Sequence, residues 1–132
     1  MVKKLIDLPI SGSGCLWAHL AYRDTDVTVE FRYTDNQTHQ ASIGTLFFPH
    51  VISFRFRDEP HIPVDFPSES YESVAEVSDS QWLVELERTE PKSSYSKLWR
   101  RRHFAVFLSS CGFFELIADD CQFSMRKANE QD

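Results

Sequence analysis

The chain has 132 residues, of which 42% are hydrophobic and 14% aromatic, and this composition predicts one folded domain and excludes a disordered or collagen-like chain. The formal net charge of −6 makes free nucleic acid a poor partner, because binding phosphates requires clustered positive charge. No apolar run has the length of a signal peptide or a membrane span, and three cysteines without C-x-x-C spacing predict free thiols and a cytoplasmic location.

Alternating strands are predicted in the first half of the chain. Residues 16–23 and 27–33 each alternate apolar with polar side chains, and the short segment Asp24-Thr25-Asp26 between them predicts a hairpin. Residues 43–48 predict a third strand and residues 51–57 a fourth. The period of two indicates strands with one face buried and the other in solvent.

Glycine and proline predict two loops beside these strands. The run Ser11-Gly12-Ser13-Gly14 is expected to be a flexible turn near the start of the domain. Residues 58–70 contain Pro60, Pro63 and Pro67, so an irregular loop is expected there, since proline cannot donate to a sheet ladder. A loop of this length is typical of a functional or mobile segment.

One short helix is predicted at about residues 80–89. Ser78, Asp79 or Ser80 can serve as its N-cap, because a short side-chain oxygen can accept a hydrogen bond from the free amides of the first turn. Trp82, Leu83 and Leu86 form an apolar stripe, so Trp82 is expected in the core. Pro91 ends the helix.

Several strands with one late helix predict an α+β fold that is mainly β. A curved antiparallel sheet or a partly open barrel accommodates these elements, with the helix against one face or one end. A single β-rich domain is expected over residues 1–125, with a polar C-terminal tail at 126–132. The later strands are predicted at residues 71–77, 103–108, 113–118 and 121–125.

The sequence carries no motif for catalysis or metal binding. His50 and His61 flank two acidic residues, but the spacing places no pair of ligands on one face of a helix or strand. Cys111 lies in a predicted turn to which no sequence feature brings a base. We therefore predict a non-enzymatic protein with no catalytic residue, no metal ligand and no cofactor.

Charge is distributed unevenly along the chain. Residues 58–90 contain ten acidic residues and one basic residue, a net charge of −9, whereas residues 91–105 contain five basic residues and no acidic one. One interpretation is that the two runs pair with each other across the fold. The other is that the acidic run faces a basic protein partner. The residues predicted to bind that partner are Asp58, Glu59, Asp65, Glu69, Glu72 and Trp99.

Trp99 and the phenylalanines each allow two interpretations. Trp99 precedes three arginines, a composition found both in interface hot spots and where arginine stems cover a ring. Five phenylalanines either fill the core or line a ligand cavity, which keeps a small-ligand-binding barrel or an enzyme as the alternative function. They are Phe47, Phe54, Phe56, Phe104 and Phe107. A homo-oligomer closed by pairing of strand edges also stays open.

Residues 71–118 resemble a family of small bacterial β-rich proteins of uncharacterised function. The resemblance lies in the order of segments Tyr71–Val77, Ser80–Leu86, Arg102–Phe107 and Gly112–Ala118. Some members look like immunity proteins that are encoded beside toxins. The resemblance implies a binding function, in which an acidic surface blocks a basic toxin, and it carries over no catalytic residue.

Overall fold

The computed structural model describes residues 1–62, 66–91 and 98–132. Within these ranges, nine β-strands form two antiparallel sheets, and one α-helix, α1 (Gln81–Thr89), lies outside them. The prediction of a mainly β, α+β fold with one helix at about residues 80–89 is confirmed. The strands are β1 (Val2–Asp7), β2 (Ile10–Arg23), β3 (Asp26–Asp35), β4 (Ala41–Phe48), β5 (Ser53–Arg57), β6 (Ser73–Val77), β7 (Arg102–Leu108), β8 (Gly112–Ala118) and β9 (Gln122–Lys127).

The two sheets have different strand orders. The first, which we call sheet A, has the order β1-β6-β7-β8-β5, and the second, sheet B, has the order β2-β3-β4-β9. The predicted hairpin around Asp24 joins β2 to β3, and its residue Asp24 adopts a left-handed backbone with φ of 58°. Strands β5 and β2 therefore lie at the outer edges of their sheets.

The main core lies between the facing surfaces of the sheets. Alternate residues of β3, among them Val29 and Phe31, are fully buried on this surface. They share one cluster with inward residues of β7 and β8, and the rings of Phe48 and Phe104 meet across the interface with centroids 5.8 Å apart. Burial of this apolar surface is the main source of stability in a fold of this kind.

The outer face of sheet A is also covered. Phe107 and Phe113 pack there against Ile62 and Phe66, which belong to the segment after β5. Two short 3₁₀ helices, Glu59–His61 and Ser68–Ser70, interrupt this segment, which was predicted to be an irregular loop. Helix α1 covers a neighbouring part of the same face, where Trp82 contacts the ring of His103.

Near the N-terminus, one strand was not predicted and one loop prediction is wrong. Residues Val2–Asp7, for which no strand was predicted, form edge strand β1 and pair with β6. The run Ser11-Gly12-Ser13-Gly14, predicted to be a loop, lies within β2 as a bulge, because the pairing register with β3 jumps from Ile10 to Cys15. Gly14 adopts a φ of +76° there, and the next amide donates to the carbonyl oxygen of Ser109 at 2.9 Å.

The polar C-terminal tail begins later than predicted. Arg126 and Lys127 belong to β9, so strand structure extends into the predicted 126–132 tail. The carboxylate of Asp132 accepts hydrogen bonds from the guanidinium of Arg126 at 2.7 and 2.9 Å and from the amide of Asn129 at 2.8 Å. The last residues are thereby folded back on the strand.

Gly44 is required by the packing of the core. A Cβ atom at this position would lie 2.4 Å from the ring of Phe31, which is fully buried. We expect Gly44→Ala to lower the free energy of unfolding by about 1–3 kcal/mol, because the core must shift to admit the methyl group. Urea unfolding of both proteins measures this difference. Gly12→Ala is the matched control, since its Cβ would meet nothing within 4 Å, and an equal loss in both variants would contradict the packing argument.

Candidate functional site

The predicted acidic residues that the structure describes lie in different environments. Asp58 and Glu59 directly follow β5 and are exposed, and the Asp58 carboxylate is hydrogen-bonded to the His61 ring. Glu69 is half-buried on a 3₁₀ helix. Asp65 lies outside the described residues.

Glu72 occupies a different environment from the exposed acids. Its backbone is left-handed, with φ of 49°, and its amide donates to the carbonyl oxygen of Phe107 at 2.7 Å. Among the described residues its Oε2 atom is buried without a hydrogen-bond partner, and this burial raises the pKa of its carboxyl group. Glu72 is therefore not an exposed contact for a basic partner.

Trp99 stacks on a histidine. Its ring lies parallel to that of His50, with centroids 4.3 Å apart, and the side chain is half-buried. Asp119 joins this cluster, because it accepts a hydrogen bond from Arg100 at 3.1 Å and lies 3.2 Å from Nδ1 of His50. These two interactions hold the pKa of the Asp119 carboxyl group below its usual range.

The acidic and basic runs pair with each other at several points. Arg102 donates to Glu76 at 2.8 and 3.0 Å, and Arg101 forms a bidentate ion pair with Glu90. The Arg102 bonds lower the pKa of Glu76 below its usual range. These contacts support the interpretation that much of the charge pattern is satisfied within the fold.

An exposed apolar surface lies where the edges of the two sheets meet. The side chains of Tyr22, Phe54 and Phe56 are 56%, 40% and 48% exposed, which is unusual for three neighbouring aromatic residues. Phe54 contacts Tyr22, with centroids 6.0 Å apart, and Phe56 packs on Phe114 at 4.9 Å. Phe54 and Phe56 border a hollow of about 300 Å³, which we call the aromatic groove, and Tyr22 lies beside it through its contact with Phe54. It is lined by Ala18, Leu20, Phe54, Phe56, Cys111 and Phe114.

The position of β5 explains why these rings are exposed. Phe54 and Phe56 alternate with Arg55 and Arg57, so the phenylalanines turn to the side that would be core in a central strand. In the described ranges β5 pairs with β8 on one side and has no strand on the other, and the edge of β2 leaves the rings partly uncovered. The groove thus joins an apolar surface to an unpaired strand edge.

The charge of one predicted acidic residue acts on the lining of this groove. Burial is the main cause that raises the pKa of the Cys111 thiol, and the carboxylate of Glu59 adds to the rise. Because Cys111 lines the groove, this effect links Glu59 electrostatically to the same surface.

The five phenylalanines of the alternative function do not converge on one cavity. Phe104 is buried between the sheets, and Phe107 lies on the opposite face of sheet A. Phe54 and Phe56 line the aromatic groove. Phe47 pairs with Thr28 in the row that faces away from the core, since its neighbours Leu46 and Phe48 are fully buried. This distribution does not favour a single ligand-binding barrel.

A chain of hydrogen bonds is buried under helix α1. The Ser80 hydroxyl accepts from the amide of Leu83 at 3.0 Å, so Ser80 is the N-cap among the three candidates that the sequence offers. The same hydroxyl lies 2.7 Å from Nδ1 of His103, and Nε2 of His103 lies 2.9 Å from Glu115. Arg55 donates to the other oxygen of Glu115 at 2.6 Å. A neutral imidazole with its hydrogen on Nε2 satisfies every one of these groups.

This Ser–His–Glu arrangement has a structural role. Ser80, His103 and Glu115 are only 6%, 5% and 7% exposed, and the Ser80 oxygen is already committed to the helix cap. Trp82, expected in the core, is half-buried instead, with the Arg55 guanidinium 4.1 Å from its ring and the His103 ring beside it. These hydrogen bonds thus fix α1 and β5 to the central strands of sheet A.

One signal in the sequence would have predicted this network. Glu115 is the single charged residue in β8, and every other residue of that strand is apolar or glycine. A charged residue in a fully buried strand requires a partner of opposite charge or several hydrogen bonds. Which residues provide them depends on strand pairing, because Arg55 is opposite Glu115 in the β5–β8 register.

The cysteines and other candidate ligands form no metal site in the described ranges. All three cysteines are free thiols; Cys15 is buried, and Cys111 and Cys121 are half-buried. No three His, Cys, Asp or Glu side chains in this part of the chain are grouped so that they could hold a metal ion. Across the same residues, no helix is both long and apolar enough to span a membrane.

Comparisons with known proteins identify no family for this chain. Models of protein families, curated proteins and solved structures were compared with the chain, and none of them matches it.

The N-cap of α1 can be tested by removing its hydroxyl. We expect Ser80→Ala to lower the free energy of unfolding by about 1–3 kcal/mol, because the Leu83 amide and the buried His103 ring both lose a partner. Urea unfolding measures the loss. Ser124→Ala, at an exposed position of β9, is the control and is expected to change little. A neutral effect at Ser80 would contradict the buried hydrogen-bond chain.

The same network predicts loss of stability in acid. Burial opposes ionisation of Glu115, but the bonds from His103 and Arg55 outweigh it and lower its pKa from 4.5 to about 2. A carboxyl group with a lowered pKa stabilises the fold above its unfolded pKa, and this contribution is lost as the pH falls from about 4.5 towards 2. The free energy of unfolding is expected to fall by about 3 kcal/mol over this range.

Urea unfolding between pH 7 and pH 2.5 measures this dependence. Other carboxylates titrate in the same range, so the comparison is with Glu115→Gln, which cannot ionise. The variant is expected to be less stable than the wild type at pH 7 and to approach it in acid. Parallel pH curves for the two proteins would show that Glu115 does not contribute in this way.

Proposed function

We propose that this chain is a non-enzymatic protein-binding domain whose contact surface is the aromatic groove with its acidic end at Asp58 and Glu59. The observation that carries the proposal is the exposure of Tyr22, Phe54 and Phe56 side by side at the open edge between the sheets. Clustered exposed aromatic side chains are typical of protein interfaces, where they supply most of the binding energy.

The partner that fits this surface is a basic protein. It would place an apolar side chain in the groove and a basic residue near Asp58 and Glu59, which are exposed at its acidic end. The net charge of −6 would accelerate the encounter with such a partner. An immunity-type inhibitor that covers a basic toxin is the biological role consistent with these features.

The predicted surface residues differ in their support for this function. Asp58 and Glu59 are exposed, and the charge of Glu59 acts on Cys111, which lines the aromatic groove. Glu72 is partly buried, and the described ring partner of Trp99 is His50, so neither belongs to the proposed surface. Glu69 lies on the second 3₁₀ helix of the segment that covers the outer face of sheet A.

The proposal is tested by affinity capture with matched variants. The wild type is immobilised beside Phe54→Ser/Phe56→Ser and beside Val84→Ser, whose side chain is 45% exposed on α1 away from the groove. Lysate of the source organism is applied at low and moderate salt, and retained proteins are identified by mass spectrometry. A basic protein held by the wild type and Val84→Ser, but lost from the double variant, is the expected result.

Calorimetry with the purified partner then measures each contribution. We expect Phe54→Ser/Phe56→Ser to weaken binding by at least about 30-fold, the effect of losing roughly 2 kcal/mol of hot-spot contacts. Asp58→Lys/Glu59→Lys is expected to weaken binding less and to reduce its salt dependence, because charge steering is screened. A partner that binds both double variants as tightly as the wild type would overturn the proposed surface.

A further inference from the structure

The turn between β7 and β8 lies against the bulge of β2, and each carries a cysteine. The amide of Cys15 donates to the carbonyl oxygen of Ser109 at 2.9 Å. In return, the Cys111 thiol lies 3.8 Å from the carbonyl oxygen of Cys15. A residue in the bulge is thereby held against the β7–β8 turn, although 96 positions separate the two cysteines in the chain.

The two thiols also influence each other's ionisation. Burial is the main cause that raises the pKa of the Cys15 thiol, and the charge and hydrogen bonding of Cys111 are among the others. Glu72 contributes to the same shift in Cys15, and Glu59 acts on Cys111. The Cys111 sulfur is thus held beside the backbone of Cys15 at a sheet-to-sheet junction, and a disulfide bond between two free thiols requires a close approach of this kind.

We propose that Cys15 and Cys111 are a thiol–disulfide exchange site that takes a low-molecular-weight disulfide such as glutathione disulfide and is converted to an internal disulfide bond.

Solvent access decides which of the two thiols reacts with glutathione disulfide first. Cys111 is half-buried and lines the aromatic groove, whereas Cys15 is 5% exposed, so the reagent meets Cys111 first. The Cys111 thiolate attacks one sulfur of glutathione disulfide; a mixed disulfide forms and one glutathione thiolate leaves. The Cys15 thiolate then attacks the sulfur of Cys111 and displaces the second glutathione. Each protein thiol gives up one proton, each departing glutathione takes one, and two electrons pass to the reagent.

The bond would tie sheet B to sheet A beside the groove. Closing a loop of this length restricts the unfolded chain strongly, so we expect the melting temperature to rise by about 5–10 °C. Because the pKa of both thiols is raised, oxidation is expected to be slow at pH 7 and much faster at pH 9, where more thiolate is present.

The experiment treats the protein with glutathione disulfide at pH 7 and pH 9 and follows its mass. The expected product has lost two hydrogen atoms, yields a peptide in which Cys15 is joined to Cys111, and returns to the starting mass with dithiothreitol. Cys121→Ser is the matched control, because Cys121 follows the far end of β8, roughly 20 Å from Cys111 by strand length, and should react as the wild type does. Cys15→Ser is expected to stop at the mixed disulfide on Cys111.

Two results would overturn the proposal. One is a wild-type protein that keeps a stable glutathione adduct and yields no Cys15–Cys111 peptide. The other is a disulfide that joins Cys121 or links two molecules. The peptide map of the wild type decides between these outcomes even where Cys15→Ser fails to fold. The site does not depend on the proposed binding function, so failure of one leaves the other standing.

Discussion

The outer layer of this domain depends on the hydrogen-bond chain from Ser80 through His103 and Glu115 to Arg55. Helix α1 has nine residues and buries none of them fully, so it is too short to be stable without tertiary support. The hydrogen-bond chain supplies this support, because it joins the helix cap to β7, to β8 and to edge strand β5. A buried charge network of this kind tolerates the loss of one member poorly, since the remaining charge is left without its partner. The position of β5, and with it the aromatic groove, follows from the same contacts.

The elements that the sequence predicts well are those with a local cause. The alternation in β3 and the Ser80 cap depend on neighbours within a few residues, and both are found where expected. Strand β1 was missed because its partner, β6, lies about seventy residues away, and only pairing reveals it. The Ser11–Gly14 run has loop composition, yet the register of β2 against β3 places it inside a strand as a bulge.

The candidate site shows the same division between local and distant causes. Exposure of Asp58 and Glu59 follows from their position in a proline-rich segment, which the sequence shows directly. The aromatic groove forms where the edge strands of two sheets meet. The alternation of side chains in β2 and β5 does not reveal that either strand lies at an edge. Phe54 and Phe56 therefore look like core residues in the sequence, and the strand order of sheet A exposes them.

The unequal protection of the strand edges has a consequence for the isolated protein. Strand β1 carries Lys3 and Lys4, and β9 ends with Arg126 and Lys127, charges that discourage another chain from pairing there. Strand β5 instead presents two phenylalanines beside its open backbone, and only its short length and two arginines oppose self-association. Aggregation of the isolated protein should therefore begin at β5, and a partner bound at this strand would suppress it by covering the exposed edge.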